Sequence, residues 1–529
     1  MARNGGKASP GDASMVRGLA TVGGATMVSR VLGFIRDAAI AALFGAGMVS
    51  DAVLAILQVV NLARRLLAEG ALNAAFVPLW LRLEHAGGAP AAKLFFQRAL
   101  GAMLLVSSMV ALVGVAFAPA AITVLLPGFT ADEQALAAGY LRLAAPYVIL
   151  AGMAALAAAL LHAHTRVLAA AAGVVAFNLV LLTALAAISA LSVPAQTGGA
   201  IVAAAVVAAG TIQLIITWSG LLWRGHAPGL PRFKLSPEVR QFFVLAIPSL
   251  VAAGIPQLKL IGGMVIASSS PAAISWLYYA NRLYELPLGV ISISVAAVLG
   301  PAIALAARAR EPSAMSLAQA RGLEFALGLA LPAALALALL AEPIAATLFE
   351  RGAFDAHDSA AVAAAVLAIS AGLPGHALEK LLGAISFAHE DSRTPMLAAL
   401  LGLGTALAAS IAWFPRYGYV GVAGAIAVSA WVGATMMTAV LWQRRWLHLP
   451  ALATRRLARI LVAAAIMAVA ILLMRHLLTS WPRLHASHLG RLTLLLLVVP
   501  AGLTIYLAAL EALGVAHLRD LWRGMRARL

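Results

Sequence analysis

Cysteine is absent from this sequence, and charged residues are scarce. Without cysteine the chain has no disulfide, no thiolate ligand for a metal and no cysteine nucleophile. Charged residues make up 11% of the chain and hydrophobic residues 63%, whereas soluble domains carry about 25% charged residues. A soluble fold could not cover its surface with so few polar groups, so the apolar excess has to face lipid.

The apolar residues come in long unbroken runs that match membrane-spanning helices. An outer-membrane β-barrel alternates apolar and polar residues and is excluded by this pattern. A helix needs roughly 20 apolar residues to cross the bilayer. We count fourteen such runs, at about 16–45, 51–80, 93–118, 134–161, 168–192, 199–223, 241–268, 273–306, 317–341, 359–387, 395–415, 420–442, 457–478 and 492–513. The sequence therefore predicts an all-α integral membrane protein with about 14 transmembrane helices.

Basic residues accumulate on one side of these predicted helices. The net charge is +17, but the charges lie between apolar runs, so they indicate membrane topology and not a nucleic-acid partner. The basic loops and tail contain Arg82, Lys93, Arg166, Arg224, Arg232, Lys234, Arg308, Arg310, Arg393, Arg444, Arg445, Arg455, Arg456, Arg519, Arg523, Arg526 and Arg528. Since basic loops stay in the cytoplasm and the number of helices is even, we expect both termini to be cytoplasmic.

Ionisable residues inside the apolar runs are the most informative feature, because such residues are costly in the bilayer and line polar cavities. Seven are basic: Arg30, Arg36, Arg64, Arg65, Lys259, Arg282 and Lys380. Five are acidic, counting one near the outer end of the second run: Asp37, Asp51, Glu69, Glu285 and Glu379. A positive excess at low dielectric requires an anion, and the planar fork of arginine fits phosphate oxygens. The sequence thus predicts a cavity for an anionic, phosphorylated substrate.

Each of these residues also has a structural interpretation. For any single residue, the structural and the substrate-binding interpretations have equal weight. Arg65 and Glu69 are four residues apart, and Arg282 and Glu285 are three apart, so both can be intrahelical ion pairs. The positive excess of the whole set favours the binding interpretation.

The first predicted helix poses a geometric problem. Arg30 and Asp37 lie seven residues apart on one helical face and can neutralise each other. Arg30 and Arg36 are about 240° apart on an ideal helix. A common cavity for both arginines therefore requires a bend, for which we expect Gly33 to be the position.

Signals for an enzyme or a metal site are weak. His162 and His164 are two residues apart, so their side chains diverge on a helix. No P-loop motif occurs in the sequence. We predict no metal site, no cofactor and no catalytic residue.

Several segments around the charged residues resemble one family. They are SRVLGFIRDAAIAALFGAGMVSDA, NLARRLLAEGALNAAFVPLW, SWLYYANRLYELPLGVISISVAAVLGPAIA and LEKLLGAISFAHEDSRTP. These segments are similar to the MurJ (MviN) lipid II flippases of the MOP exporter superfamily. A weaker resemblance runs through the rest of the chain and includes the last two helices, which the drug exporters of the superfamily lack.

The resemblance implies two six-helix lobes with a pseudo-two-fold relation, followed by two C-terminal helices. The expected parts are a cytoplasmic segment 1–15, an N-lobe 16–223, a cytoplasmic linker 224–240, a C-lobe 241–442, a second linker 443–456, two helices in 457–513 that line a groove for the lipid tail, and a basic cytoplasmic tail 514–529.

The resemblance also implies a function and its residues. The expected substrate is lipid II, an undecaprenyl-diphosphate carrying a disaccharide-pentapeptide, moved from the inner to the outer leaflet of the bacterial cytoplasmic (inner) membrane by alternating access. Lipid II and membrane lipids are the expected partners. The implied substrate-binding residues are Arg30, Arg36, Arg64, Arg282 and Lys380. The implied gate or charge-pair residues are Asp37, Asp51, Arg65, Glu69, Glu285 and Lys259.

Two positions depart from the family pattern. Asn281 stands where relatives often carry an acidic residue, and Lys259 matches no family position known to us. Both differences make the cavity more positive. Whether a coupling ion or the membrane potential drives transport therefore stays open.

Three alternatives differ in substrate or in chemistry. A flippase for another polyprenyl-diphosphate-linked glycan, such as an O-antigen or capsule unit, needs almost the same cavity. A membrane glycosyltransferase or polymerase needs catalytic carboxylates in outer loops. Candidates for those carboxylates are Asp132, Glu133, Glu350, Asp355 and Asp358. A multidrug exporter is disfavoured, because those exporters prefer cations.

Overall fold

The fold is helical throughout the part of the chain that the structure describes. A computed structural model describes residues 10–68, 71–164, 167–223, 229–309, 311–448, 451–479 and 487–515, and these residues contain no strand. Long apolar helices dominate them. The predicted class, an all-α integral membrane protein with many spans, is confirmed.

The chain divides into two compact units, Met1–Gln257 and Leu258–Leu529. The helices of the first unit are α1 (Pro10–Phe44), α2 (Met48–Ala68), α3 (Ala71–Ala116), α4 (Ala118–Leu125), α5 (Ala131–Ala144), α6 (Tyr147–Ala163), α7 (Val167–Ala190) and α8 (Ala195–Leu222). Helix α9 (Pro237–Ala267) crosses the division. The second unit contains α10 (Ala273–Ser294), a π-helical turn (Val295–Leu299), α11 (Gly300–Ala309), α12 (Pro312–Leu339), α13 (Ala341–Phe349), α14 (Ala356–Ser370), α15 (Leu373–Ala388), α16 (Arg393–Gln443), α17 (Ala451–Thr479) and α18 (His488–Ala512).

Several apolar stretches of the described residues are long enough to cross a membrane. Eight stretches can span a bilayer by length and composition, or ten if each of two bent pairs counts as one span. Helix α3 has 46 residues and α16 has 51, roughly 70 Å and 75 Å of helix against a hydrocarbon core of about 30 Å. Each of these two helices is therefore long enough for two spans, and non-helical backbone at Gly88 and Gly418 interrupts them. All fourteen predicted runs overlap described helices.

An aromatic core holds several helices of the first unit together. Phe76 of α3 stacks on Phe95 at 5.4 Å and meets Phe242 of α9 edge-on at 6.1 Å. All three rings are buried, and aromatic pairs of this geometry add about 0.5–1.5 kcal/mol each to simple burial. Because this core includes the start of α9, the first unit extends to Gln257 and does not end at the predicted linker 224–240. The predicted lobe boundaries stay a prediction.

In the second unit, α17 and α18 pack on each other and on α12. Their shared core is apolar apart from Tyr506, whose hydroxyl donates to the carbonyl of Gly328 over 2.7 Å. Two ion pairs at the other end of this layer join Arg491 to Glu350 at 2.7 Å and Arg475 to Glu342 at 3.8 Å. The two C-terminal helices are therefore part of the second unit's fold.

The segment after α16 is anchored by polar contacts. Arg444 donates to the Asp391 carboxylate over 2.5 Å, and its guanidinium lies 4.9 Å from the ring centre of Trp446. Burial alone would raise the pKa of Asp391, but hydrogen bonds from Thr394, Arg393 and Arg444 outweigh it and hold this pKa below its ordinary value. The start of the predicted linker 443–456 is thus fixed to the loop before α16.

Replacing Gly101 tests how closely the segment before α9 packs against α3. A methyl group on Gly101 would collide with the backbone carbonyl of Arg232, whose N–H donates to the carbonyl of Gln97 over 2.9 Å. We expect Gly101→Ala to lower the free energy of unfolding by about 1–3 kcal/mol, because backbone cannot yield as a side chain can. Thermal unfolding of the purified protein in detergent measures this change.

The matched control is Gly139→Ala on α5, where a methyl group meets no atom within 4 Å. Alanine is favoured over glycine in a helix by about 1 kcal/mol, so this variant should unfold at the same temperature or higher. Equal unfolding temperatures for the two variants would contradict the close approach at Gly101.

Candidate functional site

Arg36 forms a buried ion pair inside the first unit. Its guanidinium donates to Asp37 Oδ1 through Nε at 3.0 Å and Nη2 at 2.7 Å. Nη1 donates to Asn178 Oδ1 on α7 over 3.2 Å. The amide of Asn178 in turn donates to the Ser29 hydroxyl over 3.3 Å. Arg36 and Asp37 are only 6% and 0% exposed, so this network fastens α1 to α7.

Arg30 lies apart from that network. Its side chain is exposed, whereas Arg36 is buried. No break interrupts α1 at Gly33, because α1 is helical from Pro10 to Phe44. A bend at Gly33, and with it a common cavity for Arg30 and Arg36, stays a prediction. The carboxylate of Asp37, expected to neutralise Arg30, accepts from Arg36.

The remaining charged residues of the first unit lie on α2. Asp51 is 2% exposed and sits in the first turn, where the helix dipole favours a carboxylate. Arg64 and Arg65 are partly exposed near the last turn. Glu69 lies outside the described residues, so the predicted pair between Arg65 and Glu69 stays a prediction.

Arg282 and Glu285 of α10 form an intrahelical ion pair in the second unit. The guanidinium and carboxylate are 3.6 Å apart, and the two side chains are 23% and 26% exposed. Their spacing of three residues allows this contact. The pair remains accessible, so a stronger anion could compete with Glu285 for Arg282.

A second cluster of the same unit joins α9, α10, α15 and α16. Lys259 is buried and donates to the Ser429 hydroxyl over 3.3 Å. On α15, Glu379 lies 3.9 Å from His376 Nε2 and within electrostatic reach of Lys259 and Lys380. Lys380 is exposed. Lys259 and Lys380, predicted separately, thus act on one carboxylate.

Sequence reasoning missed two members of this cluster. Tyr284 of α10 and His376 of α15 are 2.5 Å apart between the tyrosine hydroxyl and Nδ1. Unlike a lysine, an arginine or a carboxylate, a tyrosine or a neutral histidine carries no charge, so neither residue stands out alone. The spacing of three residues between His376 and Glu379 was the available signal, because it places both on one face of α15.

Four of the five carboxylates predicted in outer loops, the candidate catalysts of the enzyme alternative, have structural partners. Glu133 closes a capping box with Thr130 at the start of α5. Glu350 pairs with Arg491. Asp355 caps α14 by accepting from the N–H of Asp358, whose own carboxylate accepts from Trp276 Nε1 over 3.0 Å.

Among the described residues, one group of three histidine and carboxylate side chains has the spacing of metal ligands. Asp355, His357 and Asp358 have ligand atoms within 4.8 Å of one another, but capping and the Trp276 bond already use the two carboxylates. His162 bonds the carbonyl of Ala158 over 2.7 Å. His164 instead meets the ring of Trp80 at 5.9 Å, so the two histidines of the HxH pair have different neighbours.

Comparisons with known proteins identify the family of this chain. The family described as lipid II flippase MurJ matches residues 40–487. A probable lipid II flippase MurJ of Rhizobium meliloti (strain 1021) is 36% identical over 522 residues, which cover 97% of this chain and 96% of that protein.

Solved structures share the fold. A lipid II flippase MurJ in an inward closed conformation aligns with a TM-score of 0.78 at 20% identity, covering 94% of this chain and 99% of that one. A multidrug resistance MATE family transporter of the MOP superfamily, inward-facing, aligns with a TM-score of 0.66 at 15% identity, covering 79% and 94%. At these sequence identities the structural similarity shows the fold alone. The full-length sequence match goes further, and by it this chain belongs to the MurJ lipid II flippase family.

Proposed function

We propose that this chain moves lipid II from the inner to the outer leaflet of the bacterial cytoplasmic membrane. The observation that carries the proposal is the 36% identity to a probable lipid II flippase over nearly the full length of both chains. The excess of basic over acidic residues within the apolar helices supports an anionic substrate. Both termini lie in the cytoplasm under this proposal, in keeping with the basic loops.

Arginines and one lysine bind the diphosphate in this proposal. The proposed ligands are Arg30, Arg36, Arg64, Arg282 and Lys380. Guanidinium groups hold phosphate oxygens through paired hydrogen bonds, which are stronger than neutral ones. A diphosphate with its sugars and peptide cannot enter hydrocarbon unaided, so alternating access has to carry this headgroup while the lipid tail stays in the bilayer.

The chain acts as a transporter and not as an enzyme in this proposal. Four of the five outer-loop carboxylates have capping, ion-pair or hydrogen-bond roles, which supports this choice. A flippase for another polyprenyl-diphosphate-linked glycan would use the same phosphate chemistry. The substrate test below separates the two transport functions.

Replacing the proposed phosphate ligands should abolish lipid II exposure. Cells depleted of their own flippase and expressing this chain should expose lipid II to an externally added lipid II-cleaving toxin. Arg30→Ala, Arg64→Ala and Arg282→Ala should each lose about 1.5–3 kcal/mol of charge-assisted binding, a roughly ten- to hundredfold loss. The measured quantity is the fraction of lipid II cleaved at equal protein level in the membrane.

The matched control is Arg416→Ala, which removes an exposed arginine outside the proposed site and should keep wild-type exposure. If the well-inserted wild-type chain restores no lipid II cleavage, lipid II is not its substrate. If Arg416→Ala fails as the others do, arginine content and not a phosphate site explains the losses.

Arg36 needs a separate test, because it has a structural role as well. Breaking a buried ion pair by removing one partner costs about 3–5 kcal/mol, whereas replacing both partners by apolar residues is often neutral. We therefore expect Asp37→Ala to unfold well below wild type, and the double variant Arg36→Met with Asp37→Leu to unfold near it. Thermal unfolding in detergent checks the order, with Glu342→Gln of the exposed pair as a control that should change little.

The double variant then reports on transport by itself. If Arg36 binds the diphosphate, the stable double variant should still fail to expose lipid II. Wild-type exposure by this variant would show that Arg36 serves only to join α1 and α7.

A further inference from the structure

The cluster around Glu379 contains more ionisable groups than a phosphate site requires. Lys380 is exposed and can reach an anion. Lys259, Glu379, His376 and Tyr284 instead surround one another within the second unit. Buried ionisable groups inside a membrane protein are costly and mark ion or proton pathways when they face an accessible cavity.

Glu379 lies near positive charge and near a neutral hydrogen-bonding pair. Lys259 and Lys380 lie within electrostatic reach of its carboxylate. Tyr284 lies 2.5 Å from His376 Nδ1. With Nδ1 accepting from the tyrosine hydroxyl, the imidazole is neutral and its Nε2–H faces Glu379 at 3.9 Å. The carboxylate therefore depends on the lysines for charge compensation.

Helix α16 is shaped to admit these two charged side chains. A methyl group on Gly402 would lie 2.8 Å from Lys259 Nζ, and one on Gly433 would collide with Glu379 Oε1. Glycine at both positions lets the ammonium and the carboxylate lie directly against the helix backbone. The cluster is therefore part of the packing against α16 and not an incidental arrangement at the surface.

Glu379 is nevertheless accessible. Its side chain is 18% exposed, so a proton from water can reach it. The other titratable or charged groups described on α9, α10, α15 and the helices packed against α15 are Glu238, Arg240, Lys259, Tyr278, Tyr279, Arg282, Tyr284, Glu285, Arg321, Glu324, His376, Lys380, Arg393, Arg416, Tyr417 and Tyr419. The other three carboxylates in this list, Glu238, Glu285 and Glu324, pair with Arg98, Arg282 and Arg456, which leaves Glu379 as the carboxylate that depends on lysine.

We propose that Glu379, which lies near Lys259 and the Tyr284–His376 pair, is a proton-binding site that takes up one proton from water when a diphosphate headgroup binds at Lys380. This inference rests on the proposed function. The anion draws positive charge away from Glu379 and repels its carboxylate. A proton from the cytoplasmic or external water then bonds to a carboxylate oxygen and neutralises it, and release of the headgroup returns the proton.

Calorimetry of lipid II binding to the full-length protein in detergent tests this inference. The diphosphate of lipid II is esterified at both ends and does not titrate near neutral pH, so proton uptake reports the protein. Binding enthalpies in buffers of different ionisation enthalpy give the number of protons. We expect about one for wild type, with affinity falling up to about tenfold per unit rise in pH. Glu379→Gln should take up none and bind independently of pH.

Three further variants identify the group. Lys259→Met should lose most of the uptake, because Glu379 without that ammonium is already protonated, while Lys259→Arg should keep it. His376→Gln should retain the uptake, and Glu342→Gln, a carboxylate outside the cluster, should behave as wild type. Uptake that survives in Glu379→Gln or disappears in His376→Gln would overturn the assignment to Glu379.

Infrared difference spectroscopy of the protein without substrate separates the two proposals. Acidification of wild type should produce a carboxylic acid band that is absent in Glu379→Gln. If lipid II does not bind, the proposed function fails and this band alone decides whether Glu379 binds a proton. If lipid II binds with no proton uptake, the proposed function stands and the proton-binding site is refuted.

Discussion

The cost of a charge in the membrane interior governs the arrangement of this protein. A charged side chain there needs a partner, a ligand or access to water. Most of the chain avoids the cost by being apolar, and the helices pack through small residues and aromatic rings. Each of the few charges that remain needs its own compensation, and the kind of compensation differs between the two units.

In the first unit, compensation is largely complete within the protein. Asp37 and Asn178 surround the guanidinium of Arg36, and burial of the pair makes each partner expensive to remove. Such a network gives a rigid connection between α1 and α7. Arg30 on another face of α1 is exposed, so it can meet a substrate without disturbing the packing, whereas Arg36 would have to give up contacts with Asp37 and Asn178.

In the second unit, compensation is partial and adjustable. Arg282 and Glu285 are 3.6 Å apart and accessible, so the ion pair can open at little cost. Two lysines lie within electrostatic reach of Glu379. Lys259 is buried against Ser429, and Lys380 is exposed. Charges that are held loosely can change partners when an anion arrives at lower cost than a buried pair such as Arg36–Asp37. Rigid attachment and adjustable charge are the two properties that a carrier of an anionic headgroup requires.

The sequence by itself determined the fold class, the approximate spans and the sign of the substrate's charge, since apolar runs and an excess of basic residues within them are local properties. The resemblance to the family followed from contiguous segments around Arg30, Arg64 and Arg282. Tertiary structure alone decided the partners: Asn178 lies 142 residues from Arg36, and Ser429 lies 170 residues from Lys259. It also placed Tyr284 against His376. Helix periodicity tells which residues share a face, but the contacts between faces depend on how separate helices pack.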